Sequence, residues 1–142
     1  MNTRVIVDAS VWISRLMPQE VHHDTSRLWI EQFVAEGGTL IAPTFLLVEV
    51  AAGVSRKTGQ AALSKEALKE LSRVGSMLFV PVDLSLIQTA VDMATDLHLR
   101  AGDAIYLAVA HQLGLPLVSW DKEQLQRGSS IITTYTPANY VF

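Results

Sequence analysis

The sequence predicts an α/β protein whose mainly parallel sheet is covered by helices on both faces. Short β-branched or apolar runs alternate with longer segments of helical periodicity along the whole chain. The first run, 4–7, contains three consecutive β-branched residues, which is typical of a strand buried on both faces. This alternation favours a sandwich in which helical crossovers join parallel strands.

In the first half of the chain, the strand at 4–7 leads into a turn at 8–10 and a helix over 11–16, which Pro18 ends. Apolar residues at near-helical spacing predict a helix over 22–36, and the two glycines at 37–38 stop it. A second strand covers 39–42. Pro43 suits the first turn of a buried helix over 44–54. The following SRKTGQ segment, 55–60, is expected to be a loop or a projecting helical hairpin.

In the second half, a more polar helix over 64–74 precedes a third strand at 77–82. Two helices follow over 84–97 and 104–113. The remaining elements are a strand at 115–120, a short helix at 121–126 and a last β-branched strand at 130–134. We find no repeat, low-complexity segment or linker, and therefore expect one domain spanning 1–142.

Composition restricts the class of protein. The chain is 49% hydrophobic and 18% charged, which provides enough apolar material for a substantial core. No stretch approaches the ~20 apolar residues of a membrane span, and the start lacks the pattern of a signal peptide, so we expect a soluble, cytoplasmic protein. The absence of cysteine excludes disulfides, thiolate zinc ligands and a cysteine nucleophile. A net charge of -3 disfavours a large nonspecific nucleic-acid surface but permits a local basic rim.

Four acidic residues interrupt or border the most apolar runs. They are Asp8 in VIVDAS, Glu49 in FLLVEVAAG, Asp103 in AGDAIYLAVA and Asp121 in LPLVSWDKEQ. Moving an unpaired carboxylate out of water costs several kcal/mol, so something must offset that cost. A shared divalent cation is the simplest explanation, and carboxylate oxygens suit Mg²⁺ or Mn²⁺. Two of the acids directly follow predicted strands, and ligands of such sheets bind at the carboxyl ends of the strands.

Each acid also has a purely structural interpretation. Asp8 is a good helix cap, and Asp121 with Gln124 three positions later is nearly a capping box. Asp103 is favoured by the dipole at the start of its helix. Glu49 is the hardest to explain structurally, because the residues three and four positions away on its helix are apolar or small and cannot neutralise it.

Taken together, these segments and the run GDAIYLAVAHQLGLPLVSWDKEQ resemble a PIN domain, in particular the VapC-like ribonuclease toxins of prokaryotic toxin-antitoxin pairs. The resemblance covers essentially the whole chain. It implies a three-layer α/β/α sandwich with a parallel five-stranded sheet, Mg²⁺- or Mn²⁺-dependent cleavage of RNA, a cognate antitoxin protein and a homodimer. The segment 52–75 matches nothing assignable in the family, so it gives no information on RNA preference or partner contacts.

The resemblance also assigns roles to individual residues. The acids of the family fall on Asp8, Glu49, Asp103 and Asp121, which are expected to bind metal and to be catalytic. The hydroxyl residues of the family fall on Ser10 and Ser119, which are expected to position the ligands or the phosphate. Three basic residues flank the last two acids and are candidates for binding phosphates of the RNA: Arg100, Lys122 and Arg127.

The expected chemistry is in-line hydrolysis of an RNA phosphodiester that leaves a 5′ phosphate. Two other classes stay open. A haloacid-dehalogenase-type phosphatase also starts with a strand and an Asp, but its second acid would be replaced here by Ser10. A noncatalytic PIN-like domain would use the acids to bind a metal or a partner, and a receiver-like domain built on Asp83 belongs to the same class.

Overall fold

A computed structural model describes residues 3–142 of the chain. Its elements, in order, are β1 (Arg4–Val7), α1 (Ala9–Leu16), α2 (His23–Ala35), β2 (Thr39–Pro43), α3 (Phe45–Thr58), α4 (Ala61–Ser72), β3 (Met77–Val80), α5 (Leu84–Leu97), α6 (Ala101–Leu113), β4 (Leu117–Val118), α7 (Lys122–Gly128) and β5 (Thr134–Tyr135). None of the helices within 3–142 is long and apolar enough to cross a membrane.

The five strands form one sheet in the order β3-β2-β1-β4-β5, and every pair in it is parallel. The predicted five-stranded α/β sandwich is therefore confirmed. The chain adds strands to one side of β1 as far as β3 and then crosses to the other side at β4. Because such crossovers are right-handed, the helices before β3 and those after it lie on opposite faces of the sheet. The order of the strands reverses between β1 and β4.

The core lies between the sheet and these helices. Strands β1, β2 and β4 are almost wholly buried, as is the middle of α6. Helix α6 contains seven consecutive buried residues, 104–110, and packs against both β1 and β2. Because the central strands are deeply buried, the points at which they end are held in place. The residues that directly follow these strands are therefore also held in defined positions.

The boundaries of several elements differ from those predicted. Pro43 ends β2, paired with Val80, instead of starting a helix. It is tolerated there because β1 pairs with β2 only as far as Ile41, so β1 does not need the missing N–H. The last strand begins at Thr134 rather than at residue 130, since the amides of residues 131 and 132 bond to the carbonyl of Gly128 in a turn.

The SRKTGQ segment resolves into a helical hairpin. Helix α3 continues to Thr58, Gly59 adopts a left-handed conformation (φ 68°), and α4 begins at Ala61. Glycine suits that helix end because a left-handed residue with a Cβ would be strained. Helix α6 starts at Ala101, earlier than predicted, so Asp103 lies within its first turn.

Candidate active site

Asp8 and Asp121 lie at the point where the strand order reverses. Asp8 follows β1 directly, and its backbone N–H donates to the carbonyl of Val118 in β4 at 2.9 Å. Both acids cap helices as the sequence suggested: Asp8 Oδ2 accepts from the amide of Ser10 at 3.1 Å, and Asp121 Oδ1 accepts from the amide of Gln124 at 3.0 Å. The capping role is thus real for both residues. It occupies one oxygen of each carboxylate.

Glu49 and Asp103 come from two helices that meet at the same edge. Glu49 is partly buried on α3, and Asp103 lies in the first turn of α6 with 15% of its side chain exposed. Gly102 lies against the Glu49 carboxylate, since a Cβ at that position would be 3.4 Å from Oε2. This contact places the first turn of α6, which carries Asp103, beside the Glu49 carboxylate.

The carboxylate of Glu49 is poorly compensated in this environment. Its Oε1 is buried without a hydrogen-bond partner among residues 3–142, and so is the hydroxyl of Tyr106. Burial raises the pKa of Glu49 to about 7, and the negative charges of Asp8 and Asp103 contribute to the rise. The nearby Tyr106 hydroxyl offsets part of the rise, although its geometry falls short of a hydrogen bond.

Asp8 and Asp103 are affected in the same direction. Burial raises the pKa of Asp8, and hydrogen bonds from Ser10 and Ser119 oppose the rise. Burial also raises the pKa of Asp103, as do the charges of Asp8 and Asp121, while Arg100 lowers it. The pKa of Glu49 responds to the charges of Asp8 and Asp103, and the pKa of Asp103 responds to those of Asp8 and Asp121, so these carboxylates lie close enough to repel one another.

Arg100 partly neutralises this space. Its guanidinium donates from Nε to Asp103 Oδ2 at 3.1 Å and from Nη2 to Asp121 Oδ2. Its side chain is 70% exposed, so the pair of contacts lies at the rim of the site. Within residues 3–142, no three or more His, Asp or Glu side chains are already arranged around a single ion position. A cationic side chain, rather than a preformed coordination shell, connects Asp103 with Asp121.

A buried network of polar side chains underlies the acids. Ser119 Oγ lies 3.1 Å from Asp8 Oδ2, 2.8 Å from Gln124 Oε1 and 3.3 Å from Ser10 Oγ. Ser10 Oγ in turn accepts from the amide of Trp120 at 3.0 Å. The two serines therefore contact the strand ends and one acid, and their positioning role stays a prediction.

Sequence reasoning missed two residues of the site. In the sequence, Gln124 is recognisable only as part of a possible helix cap, and Tyr106 only as one position of the predicted helix over 104–113. The only sequence signal for either was a polar group at a position facing the core. Of the candidate phosphate-binding residues, Arg100 contacts Asp103 and Asp121. Arg127 instead forms an ion pair with Glu123 at 2.7 Å.

The oxygen atoms of the four acids are chemically suited to bind a hard divalent cation. All four acids offer oxygen ligands, and Glu49 Oε1 is a buried acceptor that meets no donor in the described part of the chain, 3–142. Oxygen ligands of this kind suit Mg²⁺ and Mn²⁺. Burial raises the pKa of Asp8, Glu49 and Asp103, and the charges of neighbouring acids add to the rise for Glu49 and Asp103.

Comparisons with known proteins agree with this architecture. The sequence model of the PIN domain matches residues 5–129. The sequence matches no curated protein. Among solved structures, the chain resembles VapC20 of Mycobacterium tuberculosis, a sarcin-ricin-loop-cleaving toxin, with a TM-score of 0.69 and 17% identity over 96% of each chain.

Two further structures show the same fold. VapBC2 from Rickettsia felis, bound to a DNA fragment of its promoter, gives a TM-score of 0.71 at 13% identity over 94% of this chain and 98% of the other. VapBC-1 from nontypeable Haemophilus influenzae gives 0.70 at 12% identity over 96% and 100%. The family match covers most of the sequence, and the fold agrees with it independently. The chain belongs to the PIN domain family.

Proposed function

We propose that this chain is a divalent-metal-dependent endoribonuclease, formed by a single domain over 1–142 and acting in the cytoplasm as the toxin of a toxin-antitoxin pair. The observations that support the proposal are that Arg100 bridges Asp103 and Asp121, that Ser119 links Asp8 to the backbone of Asp121, and that Glu49 Oε1 is buried without a partner among residues 3–142. A structural protein has no need for an uncompensated carboxylate in that position.

In this proposal Asp8, Asp103 and Asp121 hold Mg²⁺ or Mn²⁺, and Glu49 completes the set or orients a water. When bound, the ion supplies the positive charge that admits an anionic phosphodiester, activates the attacking water and stabilises the leaving 3′ oxygen. The Ser119 hydroxyl lies within hydrogen-bond distance of Asp8 Oδ2 and helps to orient that carboxylate, and Ser10 contacts Ser119. Neither serine has a His partner that would make it a nucleophile.

The proposed substrate and partners rest on the relatives. VapC20 cleaves the sarcin-ricin loop, which supports RNA as the substrate class. A toxin-antitoxin complex from Klebsiella pneumoniae, which resembles this chain in fold, supports a cognate antitoxin. A homodimer is supported by the exposed apolar side chains of Leu84, Ile87 and Val91 along one face of α5.

One observation favours a second candidate, a noncatalytic PIN-like domain that binds a metal or a partner. Arg100 already pairs with Asp103 and Asp121, so these acids have a protein cation between them. The haloacid-dehalogenase-type phosphatase is not retained, because the chain belongs to a different family.

The test is cleavage of structured and unstructured RNAs by the purified protein with Mg²⁺, with Mn²⁺ and with EDTA. We expect metal-dependent cleavage that is lost in Asp8→Asn and Asp103→Asn. Asp92→Asn, an exposed acid on α5, serves as the matched control and should keep full activity. Full activity in EDTA, or in either site variant, would contradict the metal mechanism. Metal binding without cleavage of any RNA would favour the noncatalytic candidate.

A further inference from the structure

Gln124 is a wholly buried polar residue beneath the acids. It lies on α7, three positions after the Asp121 cap, and none of its surface is exposed. Burying an amide is costly unless its donor and acceptor are both satisfied. A methionine or leucine would fill a similar volume without that cost, so the amide at Gln124 calls for an explanation other than packing.

The hydrogen bonds of the Gln124 side chain define which way its amide points. Nε2 donates to the main-chain carbonyl of Asp103 at 3.3 Å, and Oε1 accepts from Ser119 Oγ at 2.8 Å. The flipped amide would place its oxygen against the Asp103 carbonyl, and two acceptors would then face each other. One rigid amide thus joins the first turn of α6 to the end of β4.

Ser119 extends this connection to the other acids. Its hydroxyl has one proton and three oxygens within reach, Gln124 Oε1 at 2.8 Å, Asp8 Oδ2 at 3.1 Å and Ser10 Oγ at 3.3 Å. The same oxygen accepts from the amide of Asp121 at 3.0 Å. Gln124 is therefore linked, directly or through one hydroxyl, to the segments that carry three of the four acids.

We propose that Gln124 is a positioning residue that sets the spacing of Asp8, Asp103 and Asp121 for a shared cation. Gln124 Oε1 also competes with Asp8 for the single proton of the Ser119 hydroxyl. This competition weakens the hydrogen bond between Ser119 and Asp8 and leaves the Asp8 carboxylate available to the cation. Residues that orient metal-binding carboxylates typically change metal affinity or activity 10–100-fold when they are replaced. This inference rests on the proposed function.

The test compares Gln124→Met with Gln126→Met, an exposed glutamine on the same helix. Mn²⁺ binding is measured by calorimetry without RNA, and folding is measured by circular dichroism. We expect Gln124→Met to fold and to bind Mn²⁺ about 10–100-fold more weakly than the native protein, while Gln126→Met binds normally. In a double-mutant cycle, Gln124→Met and Ser119→Ala should be non-additive, because both remove the same connection.

Each result decides between the alternatives. Native-like Mn²⁺ affinity in a folded Gln124→Met protein overturns the inference while the proposed function stands. No Mn²⁺ binding by the native protein overturns the proposed function and the inference together. If Gln124→Met does not fold, Gln124→Leu and Gln124→Asn are measured in the same way. Failure of all three variants to fold would show that the residue is purely structural and would overturn the inference.

Discussion

Replacing Glu49 by glutamine should stabilise the metal-free protein at alkaline pH. The pKa of Glu49 is raised from an ordinary 4.5 to about 7 in the folded state, mainly by burial. The folded protein therefore holds this proton more tightly than the unfolded chain. The resulting stability is fully present below pH 4.5 and is lost as the pH rises through about 7. Glutamine is neutral throughout and avoids the loss.

The structure sets the size of the effect. A rise in pKa from 4.5 to about 7 corresponds to at most about 3.4 kcal/mol at high pH. Glu49 is only partly buried, so we reduce this limit to about 1–2 kcal/mol to account for screening by water. For a chain of this length, that corresponds to an increase of about 3–6 °C in the midpoint of thermal unfolding.

The assay is thermal unfolding in EDTA, followed by circular dichroism at pH 5 and pH 8. Glu49→Gln should match the native protein near pH 5 and exceed it at pH 8. Glu66→Gln, an exposed glutamate on α4, serves as the control and should change little at either pH. The reasoning is refuted if Glu49→Gln is destabilised at pH 8, or if its gain is equal at both values of pH. Under the proposed function, Mn²⁺ should stabilise the native protein more than the variant.

Three further predictions concern the site and the fold. Asp103→Asn should reduce RNA cleavage at least ~100-fold with an unchanged circular dichroism spectrum, because it removes a charged ligand; retained cleavage would contradict its role. Arg100→Gln should tighten Mn²⁺ binding in calorimetry, since the competing guanidinium is removed, and weaker binding would show that Arg100 supports the ion instead. Gly38→Ala should lower the free energy of unfolding by about 1–3 kcal/mol, because its Cβ would lie 2.2 Å from the Phe33 ring. Gly75→Ala meets no atom within 4 Å and should be nearly neutral in the same denaturant titration.

Most of the fold was predictable because β1 to β4 contain continuous apolar runs and most of the helices have one apolar face. The exact ends of elements were less accessible, since they depend on long-range pairing. Pro43, for example, belongs to β2 because β3 extends alongside it as far as Val80. The turn after α7 similarly delays β5 to Thr134. The local sequence pattern does not show where these strands begin and end.

The acids of the site could be selected from the sequence because a charge in an apolar run is conspicuous. The residues that surround these acids in the folded protein could not be identified in this way. Glutamine at position 124 resembles any polar residue of a short helix, and its burial follows only from the packing of α7 beneath the strand ends. The pairing of Arg100 with Asp121 joins residues that lie 21 positions apart. Such contacts are set by the tertiary structure alone.

The placement of β4 next to β1 has a consequence for synthesis of the chain. The neighbours of Asp8 across the sheet are Val118 and Ser119, which are synthesised more than a hundred residues later. A ribosome must therefore translate the whole intervening segment before the central pair of strands can form. Until then Asp8 and Asp121 are held apart in the nascent polypeptide, and the candidate site cannot assemble.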